Sequence, residues 1–192
     1  MMKLSRKFYR KEDVVALARD LIGKYVFTSF GEIVTGGIIT ETEAYNGTTD
    51  KASHAFGGRR TARTEIMYAT GGTAYVYLCY GIHHLFNVVT NQKDIPHAVL
   101  IRALKPIEGM HVILKRRKQK EISNKLSSGP GTLSQALGIQ TSHSGENLLG
   151  NKIWIEDRGI NFPDIEIIKS PRIGVDYAGA DALLPYRFYV KS

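Results

Sequence analysis

Hydrophobic residues recur with two different periods along the chain, and the period separates predicted helices from predicted strands. Residues 11–24 carry apolar side chains at helical spacing, which predicts a helix that ends near Gly23. Residues 25–45 are typical of two β-strands joined by a turn at 29–32, and the glycines of the second strand indicate a bulge. Residues 74–90 predict a second, aromatic-rich hairpin around the turn "GIH".

The second half of the chain continues this alternation. Residues 97–104 predict a strand, and Pro106 precedes a predicted helix with a basic last turn and an apolar stripe of Ile107, Met110, Ile113 and Leu114. A short helix is expected before Gly138, and late strands are expected at 152–157, 164–175 and 186–191. No repeat or linker interrupts this order. We therefore expect one α+β domain over residues 1–192, with a curved, mostly antiparallel sheet, surrounding helices and a protruding β-hairpin.

The longest stretch without periodicity is residues 46–72, which is rich in Gly, Thr, Arg and Asp. A loop of this length inside a small domain is usually functional or disordered, and we favour a functional one. Its arginines follow a glycine pair and suit bidentate contacts to phosphate or carboxylate, with an ordinary solvated loop as the alternative. These arginines are Arg59, Arg60 and Arg63.

Strand alternation before this loop brings two acids together. It places Glu41 and Glu43 on one face of the strand, with Ile39 and Tyr45 beside them. The two acids would have Cα atoms about 6.5 to 7 Å apart. Both can be buried and charged only beside cations, for which the loop arginines are candidates, or beside a metal. The alternative is an exposed, charged strand face.

Composition narrows the functional classes. The 192 residues carry a net charge of +8, which favours partners with phosphate groups. The single cysteine, Cys79, excludes an internal disulfide and a multi-cysteine metal site. Nothing resembles a secretory signal or a membrane span, so we expect a cytoplasmic protein without a membrane partner, nucleoid-associated if bacterial. Motifs for zinc, phosphate-binding loops, dinucleotides and serine hydrolases are missing, so we expect neither metal nor cofactor.

Several separated blocks then appear in a recognisable order. They are "ETEAY", "SHAFGGRRTART", "GGTAYVYLCYGIHHLFNVVT", "AVLIRALKPIEG", "SSGPGTLSQALGI" and "PRIGVDYAG". From about residue 5 onward, the chain resembles the alkyladenine, or 3-methyladenine, DNA glycosylase family. The resemblance implies a monofunctional enzyme of base excision repair with duplex DNA as its partner, and we expect the protein to be a monomer. Such an enzyme flips an alkylated or deaminated purine out of duplex DNA and hydrolyses its N-glycosidic bond, which leaves an abasic site.

The resemblance also implies roles for individual residues. Glu43 matches the general base that activates the attacking water. Arg102 matches the arginine that helps to hold this glutamate and the water, and the backbone carbonyl of Ile173 matches a further contact to the water. The other implied roles are base pocket for Tyr45, His54, Tyr77 and Asn87, intercalation for Tyr80, and DNA binding for Arg59, Arg60, Arg63, Ile82 and His83. Glu41 is expected to be a structural carboxylate.

The chain also departs from the family pattern. Ile82 and His83 stand where other members carry Met or Tyr, and Thr132 stands where some are basic. These differences concern the grip on the duplex and the lesion range, and the residues do not rank 3-methyladenine, 7-methylguanine, hypoxanthine and ethenoadenine as substrates.

Two other functions fit parts of the pattern. A non-catalytic nucleic-acid binder would use the same basic loop and aromatic hairpin, and it would bind without releasing a base. A hydrolase of a small anion would use the loop arginines alone, and its activity would not require DNA.

Overall fold

The computed structural model describes residues 2–191 and consists of β-strands, short α-helices and single turns of 3-10 helix. The helices are α1 (Arg6–Tyr9), α2 (Val14–Asp20), α3 (Met110–Arg117) and α4 (Pro130–Leu137). The strands are β1 (Met2–Lys3), β2 (Tyr25–Phe30), β3 (Ile33–Tyr45), β4 (Thr73–Cys79), β5 (His83–Thr90), β6 (His97–Glu108), β7 (Ile153–Asp157), β8 (Ile167–Ser170) and β9 (Arg187–Val190).

These strands form one curled antiparallel sheet in the order β1-β7-β2-β3-β6-β5-β4, and the β8–β9 pair joins it at β3. The strand β3 is 13 residues long and pairs with β2, β6 and β9. The predicted α+β class with a mostly antiparallel sheet is confirmed. The strand that carries both acids therefore lies in the middle of the sheet, where most of its side chains beyond Val34 are covered.

Bulges in β3 and β6 change which side chains share a face. The register between the strands shifts at Gly36–Gly37, as the glycines predicted, and again between Ile39 and Glu41. Simple alternation placed Ile39 beside the acids, and this is wrong: Ile39 packs in the main core, on the side of Ala44. The extra residue at Thr40 inverts the pattern, because a bulge moves every preceding side chain to the other face.

The two faces of the sheet are covered by different kinds of structure. On one face, α2 with its C-cap residue, and α4, bury Leu17, Leu21 and Leu133 in the main core. On the other face lie the segments 46–72 and 171–183, which form two small apolar clusters with the sheet. Because these two segments are irregular and do not close over the whole face, a pocket remains between them.

Two predicted boundaries were wrong. The strand β6 continues through Pro106 to Glu108, so Ile107 belongs to a strand, and α3 begins only after Gly109, whose φ of 70° makes the turn. Proline is tolerated here because the partner register is already shifted at Gly37. The late strand predicted at 164–175 is confined to β8. Within residues 2–191, no helix is both long and apolar enough to cross a membrane.

Candidate active site

Glu43 is the most completely enclosed carboxylate of the candidate site, with 0% of its surface exposed. Its Oε1 accepts a hydrogen bond from the backbone N–H of Ile173 at 2.8 Å. Its Oε2 accepts from the Tyr45 hydroxyl at 2.9 Å and from Nη1 of Arg102 at 3.3 Å. Three donors on three segments of the chain therefore hold one carboxylate in a single orientation.

A bulge directs Arg102 toward both acids. Arg102 is the unpaired residue of β6, because Glu41 pairs with Ala103 and Thr42 with Ile101. Its Nε donates to Oε1 of Glu41 at 3.0 Å, and Nε of Arg187 donates to the same oxygen at 2.6 Å. The alternative of an exposed acidic face is wrong, since Glu41 is only 16% exposed at its side chain. The neutralising cations are Arg102 and Arg187, not the loop arginines.

Burial dominates the acidity of Glu43. Removal from water raises the pKa of its carboxyl above the ordinary value, and Arg102, the Ile173 N–H and the Tyr45 hydroxyl offset part of this rise. The charge of Glu41 acts in the same direction as burial. A carboxylate with a raised pKa is a stronger base than an exposed one, which suits proton abstraction from water.

A pocket of about 610 Å³ opens between segments 46–72 and 171–183. Tyr45, Arg102 and Ile173, which all contact Glu43, are part of its lining, and Glu43 lies directly beneath them. The volume suits one flat bicyclic ligand with its attached sugar. The predicted base-pocket residues come together in this lining: Tyr45, His54, Tyr77 and Asn87.

His54 is held in the wall of the pocket by aromatic neighbours. Its Nδ1 lies 2.8 Å from the Tyr75 hydroxyl, and its ring meets the Tyr77 ring edge-on with centroids 4.7 Å apart. Burial, together with the nearby charges of Arg63 and Arg59, lowers the pKa of His54 to about 4. His54 is therefore neutral at physiological pH and adds no charge to the pocket.

Asn87 points its amide group in a defined direction. Its Nδ2 donates to the backbone carbonyls of Tyr75 and Leu85, each at 3.2 Å. Both N–H groups are thus used within the sheet, and Oδ1 is the atom left for a ligand.

The tip of the β4–β5 hairpin presents apolar side chains to solvent. Tyr80 is 90% exposed and Ile82 is 71% exposed. Tyr80 and Gly81 have φ values of 51° and 74°, as both central residues of a primed hairpin turn do. A tyrosine in this left-handed conformation is strained, and its side chain is left in solvent instead of packing on the sheet. Tyr80 and His83 also border the pocket.

The loop arginines differ from one another in what they contact. Arg60 is paired with Glu65 at 2.7 Å and with Asp94 at 3.0 Å. The guanidinium of Arg63 lies 4.8 Å from the centre of the Tyr77 ring, at the rim of the pocket. Arg59 is exposed, and within residues 2–191 it has no acidic partner. Of the three, Arg59 is the most available to an external anion.

Sequence reasoning missed several residues around Glu43. Asp50 and Arg172 form a fully buried ion pair, and Arg187 neutralises Glu41. Tyr75 supports His54, and strand alternation with Tyr77 could have indicated it. Asp50 and Arg172 lie 122 positions apart in irregular segments, so no local pattern connects them.

No group of three or more His, Cys, Asp or Glu side chains within residues 2–191 is arranged to hold a metal ion. His84 instead accepts a hydrogen bond from the backbone N–H of Thr141 at 3.2 Å. The arrangement that the structure does contain is a buried carboxylate beneath an aromatic pocket, beside an exposed aromatic hairpin. It defines a class of enzymes that act on an aromatic group of a larger substrate.

Comparison with known proteins identifies the family. A family model described as methylpurine-DNA glycosylase (MPG) matches residues 7–192. The chain belongs to the methylpurine-DNA glycosylase family, and it is therefore a hydrolase of N-glycosyl bonds that acts on DNA. This confirms the family that the ordered blocks indicated, and with it the assignment to DNA repair.

Relatives match over nearly their full length. A protein of Clostridium perfringens (strain 13 / Type A) is 42% identical, with 99% of this chain and 96% of the relative covered. One of Chlamydia felis is 44% identical, with 96% and 94% covered, and one of Desulfitobacterium hafniense is 39% identical, with 100% and 96% covered. All three bear the name "Putative 3-methyladenine DNA glycosylase".

Proposed function

We propose that this glycosylase releases an alkylated or deaminated purine after the damaged nucleotide has flipped out of duplex DNA into the pocket. The supporting observation is the position of Glu43, a carboxylate with 0% exposure held by three donors directly beneath an aromatic pocket. Flipping costs least for a base that pairs poorly, so the extrusion step itself favours damaged purines.

The reaction is a hydrolysis at C1′ of the flipped nucleotide. A water molecule transfers one proton to Glu43, and its oxygen bonds to C1′ while the N-glycosidic bond breaks and the purine departs with the bonding electrons. The sugar passes through a cationic, oxocarbenium-like state, which the negative carboxylate stabilises. General-base catalysis of this kind contributes about 10²- to 10⁴-fold.

The pocket walls favour a positively charged purine. Tyr45 and Tyr77 offer aromatic faces that attract a cation, which is the state of a purine alkylated at a ring nitrogen. His54 remains neutral above its pKa of about 4, so it does not repel that cation. Oδ1 of Asn87 is placed to test the exocyclic groups of the base. A neutral deaminated purine gains no cation–π attraction in this pocket, and only its stacking on the aromatic rings favours its binding.

The hairpin tip occupies the space that the flipped base vacates. Tyr80 is a large, exposed aromatic side chain at the pocket border, and its neighbour Ile82 extends the apolar tip. Apolar wedges of this type enter the minor groove and separate base steps. Arg59 and Arg63 would contact the phosphate backbone on the opposite side of the pocket, and His83 would do so beside the tip.

The decisive experiment replaces Glu43 by Gln. We expect base release from duplexes that carry 3-methyladenine, 7-methylguanine, hypoxanthine or ethenoadenine to fall by about 10³-fold, while binding of the same duplexes persists. Single-turnover release is measured by mass spectrometry of the free base. The control is Glu156→Gln, since Glu156 is a partly buried glutamate of β7 paired with Arg158 at 2.8 Å. A fully active Glu43→Gln variant would refute the proposed mechanism.

The pH profile of the wild-type enzyme provides a further check on the same assignment. Because burial raises the pKa of Glu43, its base form appears only at a higher pH than that of an exposed glutamate. The acid limb of single-turnover release should therefore lie above the ordinary range of a glutamate.

A further inference from the structure

Beneath the pocket lies an ion pair that the chemical step does not use. Asp50 and Arg172 face each other with both side chains essentially inaccessible, at 1% and 0% exposure. Nη1 of Arg172 donates to Oδ2 of Asp50 at 2.5 Å, and Nη2 donates to Oδ1 at 2.8 Å. This is the bidentate arrangement in which guanidinium and carboxylate fit each other best.

The remaining hydrogen bonds of the pair tie neighbouring segments together. Arg172 also donates to the backbone carbonyl of Ala44 at 2.9 Å and to that of Asp181 at 3.1 Å. Asp50 accepts from the backbone N–H groups of Asn46 and Ala52, each at 3.0 Å. One ion pair therefore joins the end of β3, the turn after it, and both ends of the segment 172–181.

Each tied segment carries part of the candidate site. Ala44 stands between Glu43 and Tyr45 on β3. Ile173 follows Arg172 directly, and its N–H is the donor to Oε1 of Glu43. The guanidinium of Arg172 also lies 4.9 Å from the centre of the Tyr45 ring. The position of Arg172 thus helps to fix the donor and the acceptor of the Ile173–Glu43 hydrogen bond. It also helps to fix the ring of Tyr45.

An apolar pair could not replace the hydrogen bonds that Asp50 and Arg172 make to the backbone. Burying an ion pair costs several kcal/mol of desolvation for each charge, and well-packed apolar residues often stabilise a fold as well. An apolar pair, however, could not hold two backbone carbonyls and two backbone N–H groups in fixed directions. Lysine could not either, since it lacks the planar fork of donors.

We propose that Asp50 and Arg172 form a positioning unit for catalysis, which holds the Ile173 N–H and the Tyr45 ring against Glu43. This inference rests on the proposed role of Glu43 as the base. The charged and titratable groups that face Glu43 are Arg102 from β6, Glu41 and Tyr45 from β3, and Arg172 and Tyr177 from the segment after β8. Of these, only Arg172 also fixes a backbone donor to the carboxylate.

The test is Arg172→Lys, which keeps the charge and most of the volume but loses the fork. We expect kcat for base release to fall by about 10- to 100-fold, because small misplacements of reacting groups have effects of this size. KM should stay within about threefold, since no side chain that faces the base is removed. The acid limb should move to higher pH, because Glu43 loses the Ile173 donor that favours its charged form.

Controls separate positioning from folding. Arg158→Lys changes another arginine paired with an acid, at Glu156 on β7, and should leave kcat and the acid limb unchanged. All rates are measured below the melting transition of each variant. A folded Arg172→Lys enzyme with wild-type kcat and acid limb would overturn the proposal, whatever its melting temperature. If Arg172→Lys does not fold, Asp50→Asn is judged by the same kcat and acid limb. Its control is Asp157→Asn, since Asp157 at the end of β7 is an aspartate paired with a cation, Lys24, at 2.8 Å.

Glu43→Gln, measured in parallel, distinguishes the two proposals. If Glu43→Gln is active, Glu43 is not the base, so the proposed mechanism fails and the positioning role fails with it. If Glu43→Gln is inactive while Arg172→Lys behaves as wild type, only the positioning role is wrong.

Discussion

The protein contains two contrasting sets of arginines around one pocket. Arg59, Arg60 and Arg63 are close together in the sequence and exposed in the segment 46–72, and Arg63 borders the pocket. Arg102, Arg172 and Arg187 are far apart in the sequence, yet each pairs with a covered carboxylate beneath the pocket. The first three, the loop set, are open to solvent, and the other three, the interior set, hold the acids in place.

The contrast shows that local charge density and site geometry are different properties. A cluster of arginines in a loop is visible in any window of sequence, and it is screened by water and salt where it stands. An arginine enclosed with an acid acts at lower effective dielectric, so its position matters more for the chemistry. Substitutions in the two sets should therefore differ in size and in the quantity that they change.

Among substitutions in these two sets, the largest effect is expected from Arg102→Gln. It removes the cation that pairs with both Glu41 and Glu43, so single-turnover base release should fall by about 100-fold or more. The acid limb should also move to higher pH, because Arg102 lowers the pKa of Glu43. Base release as a function of pH measures both. An unchanged acid limb would contradict the pairing seen here.

Glu41→Gln should have a smaller effect of the opposite sign on the pH profile. The charge of Glu41 raises the pKa of Glu43, so its removal should move the acid limb to lower pH. The acceptor of the Arg102 Nε–H group also changes from a carboxylate to a neutral amide oxygen, which weakens this hydrogen bond, and we expect base release at the plateau to fall by roughly 10-fold. The comparison of the two acid limbs, measured under identical salt, tests the network directly. A shift in the same direction as that of Arg102→Gln would show that Glu41 has another role.

The smallest effects are expected from substitutions of the exposed arginines in the loop set. About five phosphate contacts should give the wild-type enzyme a slope of log K against log salt of roughly −4.5. Arg59→Ala should reduce the magnitude of that slope by about 0.9 without changing the rate of bound enzyme. Arg60→Ala should leave the slope unchanged, because Glu65 and Asp94 already occupy its guanidinium. Equal slopes for Arg59→Ala and Arg60→Ala would remove the distinction between them.

Much of the fold could be predicted from local pattern because short-range physics controls it. The apolar stripe of α2, the Gly138 cap of α4 and the turn at 29–32 were all correctly placed. Two of the wrong predictions, Ile39 on the acidic face and Ile107 in a helix, lie where pairing between β3 and β6 is irregular. A bulge depends on the partner strand, so one strand's own pattern does not reveal it.

The candidate site divides in the same way. Ordered motifs were enough to name the family, which the comparisons confirm, and to name Glu43 and the aromatic residues, whose roles stay predictions. Motifs did not predict that Arg187 pairs with Glu41, or that Asp50 and Arg172 underlie the pocket.

The sequence alone was thus sufficient to predict most of the helices and strands and the class of enzyme. It also showed the net positive charge that suits a polyanionic substrate. The partner of each buried charge was decided only when the sheet curled and the segments 46–72 and 171–183 closed on one face of it. The physical reason is that desolvation penalises an unpaired charge wherever it is buried. The cation that offsets this penalty is the one that lies nearest in space, and the separation of two residues in the sequence does not predict that distance.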